Sequence, residues 1–294
     1  MSKVNGIYAA TLSILNEDLS LNISRTIDHA ENVIELGCHG VVFFGSTGQS
    51  QLISLSEKIQ LINNLPNSKN KEKFIIGTGL NSLGDTINLM KIAITNNFNR
   101  FLIMPPAYYK YGDNDVIQFY SKIVDTLPES EIILYNFEKL SGYKFSKECV
   151  EKLVEKFPKQ IIGVKDSSYN LFEELKLENF SVMPGSESKL LKGLNLGCAG
   201  IITATTNVTA SLARRVYDDY IHKVDQTQNQ KLCDVRLIFE KYNLISGLHS
   251  FLSDKNLDFK NLLPPLHLLD DKEKKELNSA LSKIEFDIKT LKSA

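Results

Sequence analysis

The sequence predicts an α/β fold, a (β/α)8 TIM barrel followed by a C-terminal helical extension. Three observations predict it. Short apolar, β-branched runs recur eight times along the first two-thirds of the 294 residues. The runs are nearly continuous, without in/out alternation, as strands covered on both faces read. Segments of helical periodicity stand between them, and strand–helix repeated eight times closes as a barrel. A doubly wound open sheet is the competing architecture.

The first four runs are "GIYAATL" near Ile7, "GVVFFG" at Val41–Phe44, "KFIIGTG" at Phe74–Ile76 and "RFLIMPP" at Phe101–Met104. Then come "EIILYN" at Ile132–Tyr135, "IIGVKD" at Ile161–Lys165, "FSVMPG" around Val182 and "GIITAT" at Ile201–Thr203. Between them, Ile23, Ile27, Ala30 and Ile34 share one helix face. Leu55, Ile59 and Ile62 do the same behind a Ser54/Glu57 capping box, and Leu83, Ile87, Met90 and Ile94 repeat the pattern. Further helices are expected to start near Asp115, Ser146, Asn170, Glu187 and Asn207. The barrel is assigned to residues 1–226. Residues 227–294 read as helices only, interrupted by "LLPPLHLLDD", and are expected to pack on the barrel as an appendage.

Composition excludes several classes. The chain is 43 % hydrophobic and 23 % charged with net charge −1, which is ordinary for a globular protein. Phosphate binding wants a basic excess, so nucleic acid is not an expected partner. No window reaches a membrane span, and the N-terminus lacks a signal-peptide pattern. Cys38, Cys149, Cys198 and Cys233 are scattered, as reduced thiols of a cytoplasmic protein are. The five histidines show no ligand spacing, so no metal is expected.

A barrel of this kind carries its chemistry at the C-terminal ends of its strands. Here those ends are "GSTGQS", "GTGLNS", "PPAYYK", "YNFEKLSG", "KDSS", "PGSES" and "TATTN". They hold hydroxyls, glycines, two tyrosine segments and one strand-borne lysine, Lys165, but no histidine. Glu138, Asp166 and Glu187 are isolated acids, so neither a two-carboxylate glycosidase nor a metal hydrolase fits. A buried lysine has a use: as the neutral amine it attacks a ketone and forms a Schiff base. A phenol held near the imine can shuttle protons, a use open to Tyr135, and the "GST" turn can hold a carboxylate with backbone N–H groups, Ser46 and Thr47. Each feature also has a plain structural reading. A strand-end lysine can be salt-bridged or snorkelling, Asp166 can mark the start of a helix, and Tyr135 can cap the core.

Together these motifs resemble the Schiff-base aldolase family of dihydrodipicolinate synthase and N-acetylneuraminate lyase. "GSTGQS" is similar to the family's G-[ST]-T-G-E turn, "YNFEKLSG" to its Y-N-x-P-x-x-[ST]-G segment, and "GVKDSS" to its lysine strand. The resemblance spans essentially the whole chain. It implies that Lys165 forms the imine with pyruvate, Tyr135 relays protons, and Ser46 links Tyr135 to the rest of the relay. It also implies that Thr47 binds the pyruvate carboxylate, that the backbone carbonyl of Ile202 faces pyruvate, and that Gly185 belongs to the substrate site. Tyr109 matches a tyrosine that a neighbouring subunit contributes in some members. The family implies no cofactor, a small-molecule keto acid and aldehyde as substrates, and a homo-oligomer, tetramer or dimer.

Departures from the pattern bear on specificity. Leu140 stands where the synthase carries an arginine for the second substrate's carboxylate; Glu138 replaces a proline and Gln49 a glutamate. The "LSG" ending and Ser46 resemble the lyase branch, whose acidic pair after strand seven is matched only by Glu187 with Ser188. Its glycine–serine pair on strand eight appears as Thr203 and Ala204. Losing a charge-assisted contact costs roughly 1.5–3 kcal/mol unless Lys139 or Lys110 replaces it. An aldolase or lyase of a 2-keto acid is therefore favoured over a true synthase. A keto-acid-binding barrel without catalysis stays open as a reading of another class. A phosphate-handling barrel is disfavoured, because "GIITATTN" lacks the glycine-rich loop.

Overall fold

The computed structural model describes residues 4–288. Its eight parallel strands are β1 (Gly6–Ala10), β2 (Gly40–Phe43), β3 (Phe74–Gly77), β4 (Arg100–Ile103), β5 (Glu131–Asn136), β6 (Ile161–Asp166), β7 (Ser181–Pro184) and β8 (Gly200–Thr203). Successive strands pair from β1 to β7, and β8 returns to β1. The seam between β7 and β8 is bridged where the Ala199 N–H donates to Val182 O at 2.9 Å. The sheet is thus a nearly closed (β/α)8 barrel, and the open doubly wound alternative is excluded.

Both faces of the strands are buried, which is why their sequences do not alternate. Inside lie Tyr8, Val42, Ile75, Leu102, Ile133, Tyr135, Met183 and Ile202. Outside, Ile7, Val41, Phe43, Ile76, Phe101, Ile132 and Val164 pack under the helices. These helices are α1 (Ile23–Glu35), α2 (Leu55–Asn64), α3 (Leu83–Thr95), α4 (Asp113–Thr126), the single turn α5 (Glu138–Ser141), α6 (Lys147–Lys156), α7 (Leu190–Asn195) and α8 (Thr206–Ile221). The expected capping box forms at α2: Ser54 accepts from the Glu57 N–H while Glu57 accepts from Ser54. The glycine of "GVKD" has a packing reason. A Cβ on Gly163 would lie 2.6 Å from Ser181 O, so any side chain would push β7 away from β6.

One expected helix is absent. The segment starting near Asn170 forms turns, because the Asp166 carboxylate accepts from the Tyr169, Leu171 and Phe172 N–H groups. Tyr169 takes a left-handed φ of 59°, which a helix cannot continue through. Leu171, Phe172 and Leu175 cover the barrel in the helix's place. Asp166 therefore organises a loop rather than marking a helix start.

The extension contains α9 (Asn229–Phe239), α10 (Leu244–Ser253) and α11 (Asp271–Lys283), with residues 260–270 irregular between the last two. The helical pattern expected to run to the C-terminus stops at Lys283, and residues 289–294 lie outside the described residues. Val235, Phe239, Leu248, Phe251, Leu277 and Leu281 of these helices share one buried cluster with Leu12, Ile14 and Val208 of the barrel. The extension also reaches the "GSTGQS" turn, where Gln49 Oε1 accepts from the Leu263 N–H at 2.8 Å.

Two histidines lie at this junction. His29 sits 2.8 Å from Asn207 Oδ1, His249 sits 2.9 Å from Phe259 O, and both rings meet the edge or face of Phe259. Burial lowers each pKa from 6.5 to about 4. The unfolded chain therefore binds more protons than the native one between those values, and stability is lost as pH falls through that window. Urea unfolding at pH 7 and pH 5 is expected to show a loss of roughly 1–2 kcal/mol per histidine at the lower pH. Equal stability at the two values would remove the argument.

Candidate active site

The β5–β6 pairing builds the centre of the site. Tyr135 and Lys165 are register partners in that ladder, so both side chains enter the barrel at the same level. A bulge between Ile132 and Ile133 sets the alignment, and Asn136 Nδ2 donates to Asp166 Oδ1 at 2.8 Å just beyond it. Burial pushes the Asp166 carboxyl upward, against the hydrogen bonds from Leu171, Phe172, Asn136 and Tyr169.

Lys165 is 3 % exposed, and its Nζ lies 4.2 Å from the centre of the Tyr135 ring. Among the described residues it makes no ion pair. Lys58 is a second buried lysine and differs from it. Lys58 Nζ donates to Thr78 O and Gly79 O at 2.9 and 3.2 Å, and burial lowers its pKa to about 8. That amine is committed to strand-end carbonyls, while Lys165 faces open space.

The space is a cleft of about 640 Å³ at the C-terminal ends of the strands. Ser46, Thr47, Tyr135, Lys165 and Gly185 all line it. Ser46 and Thr47 lie on a 3-10 turn that follows β2, closed by Gln49 in the left-handed region. The Ser46 and Tyr135 hydroxyls are 3.0 Å apart. Gly185 approaches Ser167 so closely that a Cβ would meet its Oγ at 2.2 Å. Ile202 sits in the barrel interior beside Met183, beneath the cleft rather than in its wall. Tyr109 is not brought to Lys165: it is 73 % exposed on the loop after β4, stacked edge-on with Tyr108. An amine held among buried side chains beside a phenol–hydroxyl pair can add to a carbonyl and pass protons as the imine forms.

The opposite wall was not anticipated. Arg236 of α9, Glu240 at its C-cap, Asn243 before α10, and Tyr169 face the same cleft. The spacing R-x-x-x-E in "VRLIFEKY" is the only sequence sign of the pair, and it is common on exposed helices. Glu187, one of the isolated acids at the strand ends, is turned away from the cleft and fully buried. Its Oε2 accepts from Thr203 Oγ1, Thr205 Oγ1 and Arg236 Nη1 at 2.8, 2.9 and 3.1 Å. Arg236 Nε donates to Glu240 at 2.7 Å. Burial works against the Arg236 charge, but Glu187 and Glu240 outweigh it and raise the pKa. Leu140, 44 % exposed, lines the cleft on the turn after β5.

Among the described residues no group of three His, Cys, Asp or Glu side chains is arranged to hold a metal ion, and no helix is long and apolar enough to cross a membrane.

The description "Dihydrodipicolinate synthetase family" matches residues 3–284. The chain belongs to that family. Its members are lyases, and the aldolase/lyase fold of the family is the fold found here. A relative from Chloroflexus aurantiacus, named an uncharacterized DapA-like lyase, is 27 % identical over 97 % of this chain and 98 % of its own. The 4-hydroxy-tetrahydrodipicolinate synthase of Methanopyrus kandleri is 29 % identical over 74 % of each. Among solved structures, YagE of E. coli K12, determined in complex with pyruvate, superposes with a TM-score of 0.89 at 21 % identity. That match covers 97 % of this chain and all of YagE, so the family fold includes the helical extension.

The buried ion pair yields a prediction. Glu187→Ala leaves the Arg236 guanidinium facing Thr203 and Thr205 without its innermost counter-charge, and removing one partner of such a pair costs about 3–5 kcal/mol. Thermal unfolding of this variant is expected well below that of the parent. An unchanged midpoint would show that the pair is not what holds α9 to β8.

Proposed function

We propose that the chain is a class I aldolase that joins pyruvate and an aldehyde, or cleaves a 2-keto-3-deoxy acid into them, through a Schiff base on Lys165. The observation that carries this is the single group formed by Lys165, Tyr135 and Ser46: a buried amine over a phenol ring, with the phenol hydrogen-bonded to a hydroxyl on the facing turn.

In the cleavage direction, the Lys165 amine adds to the C2 carbonyl, Tyr135 gives its phenol proton to the resulting hydroxyl, and water leaves a protonated imine. The Tyr135 phenolate, held by Ser46, then takes the proton of the C4 hydroxyl. The C3–C4 bond breaks, its electrons enter the iminium, and the aldehyde departs from an enamine. Protonation at C3 and hydrolysis then release pyruvate and the amine. Thr47, Ser46 and the backbone of their turn hold the keto acid's carboxylate. The Ile202 carbonyl lies under the reacting carbons, and Gly185 leaves room for them. Tyr109 serves the cleft of a second copy in a homo-oligomer, which accounts for its exposure on its own chain.

Leu140 favours this reading over condensation of pyruvate with aspartate semialdehyde, since it offers no charge to a second carboxylate at the cleft wall. Lys139, also on the cleft, favours the synthase as the second reading. The turn substitution at Gln49 does not argue for a barrel without catalysis, because Gln49 anchors the extension instead.

Borohydride with pyruvate is expected to add a covalent mass at Lys165 and abolish turnover, and Lys165→Ala to prevent both. Tyr135→Phe is expected to lower kcat about 10²–10⁴-fold, the usual contribution of a positioned proton donor. An unmodified Lys165 after treatment with pyruvate and longer 2-keto acids would sink the proposal. A panel of aldehydes with pyruvate separates the lyase from the synthase.

A further inference from the structure

The wall of the cleft supplied by the extension has a composition of its own. Arg236 is almost fully buried, and two of its nitrogens are engaged: Nη1 with Glu187, Thr203 and Thr205, and Nε with Glu240. Among the described residues Nη2 has no partner, and the side chain lines the cleft. Glu240 is 39 % exposed on its side chain and lines it too, with Asn243 at the next turn of chain. Tyr169 faces them in a left-handed conformation held by Asp166, a strained placement of the kind that accompanies ligand contacts. Hydrogen-bond donors and acceptors therefore alternate along this wall, from Nη2 to the Glu240 carboxylate.

Charge decides what such a wall can take. The guanidinium already carries two carboxylates, so the cluster of Arg236, Glu187 and Glu240 is net negative. A third carboxylate arriving at Nη2 would stand beside Glu240 and be repelled. A hydroxylated carbon chain is not repelled, because each hydroxyl both donates to Glu240 and accepts from Nη2. Across the cleft Leu140 adds apolar surface, and the lysine beside it, Lys139, stands next to the Glu138 carboxylate on the turn after β5, away from the Arg236–Glu240 wall.

We propose that the Arg236–Glu240 pair at the C-terminal end of α9 determines specificity for the second substrate, binding the uncharged, polyhydroxylated end of a 2-keto-3-deoxy acid and rejecting an end that bears a carboxylate. The inference rests on the Schiff-base reading of Lys165. It places the specificity determinant in the extension, not on a barrel loop.

The test reads imine formation, so it needs no turnover. Half-saturating concentrations for borohydride trapping at Lys165 are measured with pyruvate, with a six-carbon 2-keto-3-deoxy acid ending in hydroxyls, and with 2-oxoadipate, which ends in a carboxylate. The parent protein is expected to prefer the hydroxylated acid to 2-oxoadipate. Glu240→Ala is expected to reduce that preference about ten- to a hundredfold, the worth of charge-assisted hydrogen bonds. Glu240→Gln keeps the acceptor and removes the charge. It is expected to restore most of the binding of the hydroxylated acid while admitting 2-oxoadipate. A purely structural role for Glu240 would shift all three ligands together, and that result overturns the proposal. So does a parent protein that prefers 2-oxoadipate. Absence of trapping by any ligand in the parent protein would instead overturn the Schiff-base reading, and this inference with it.

Discussion

The register between β5 and β6 is the constraint on which the rest of the site depends. Side chains on a strand alternate with a period of two, so a slip of one residue would send Lys165 out toward the helices and draw Val164 into the barrel. The chain holds the register from both ends. A bulge at Ile132/Ile133 absorbs the mismatch below, and Asn136 bonds to Asp166 above. Gly163 keeps β7 close on the other side. The same Asp166 carboxylate then gathers three backbone N–H groups and turns the chain back over the barrel, which places Tyr169 on the cleft wall. One buried carboxylate thus connects strand alignment, loop shape and the wall of the cleft.

The second organising feature is the junction between barrel and extension. Glu187 and Arg236 are both buried: Glu187 Oε2 accepts from Arg236 and two threonines, and Glu240 takes the Arg236 Nε. Gln49 bonds the extension to the turn that carries Ser46 and Thr47. The extension is thereby part of the cleft's architecture: it backs the turn that carries Ser46 and Thr47 on one side and forms the far wall on the other. An appended helical segment can alter the reach of a barrel cleft without changing the residues at the strand ends.

Much of the barrel was legible in the sequence because burial on both faces leaves an unusual mark, an unbroken apolar run, at each strand. Lys165 was legible for the same reason, since a lone ammonium after "IIGV" stands out against its surroundings. Tyr135 and the "GST" turn were found by their place at strand ends. The helix expected near Asn170 failed because local polarity looked like a helix start, while the Asp166 side chain took the N–H groups from a different geometry. The burial of Glu187 was not legible, because a strand-end acid looks the same whether it faces a cleft or a buried arginine 49 residues further along the chain.

By itself, the sequence determined the number of strands, the side of the barrel that bears the polar residues, and the lysine and tyrosine that meet there. These follow from short-range pattern: periodicity, capping residues and the ends of apolar runs. Tertiary contacts alone set which acids are free, that Arg236 and Glu240 enter the cleft, that Lys58 is committed while Lys165 is open, and that Tyr109 lies away from Lys165. Those outcomes depend on contacts between elements far apart in the chain, where the partner of a charge is set by packing and not by neighbouring residues.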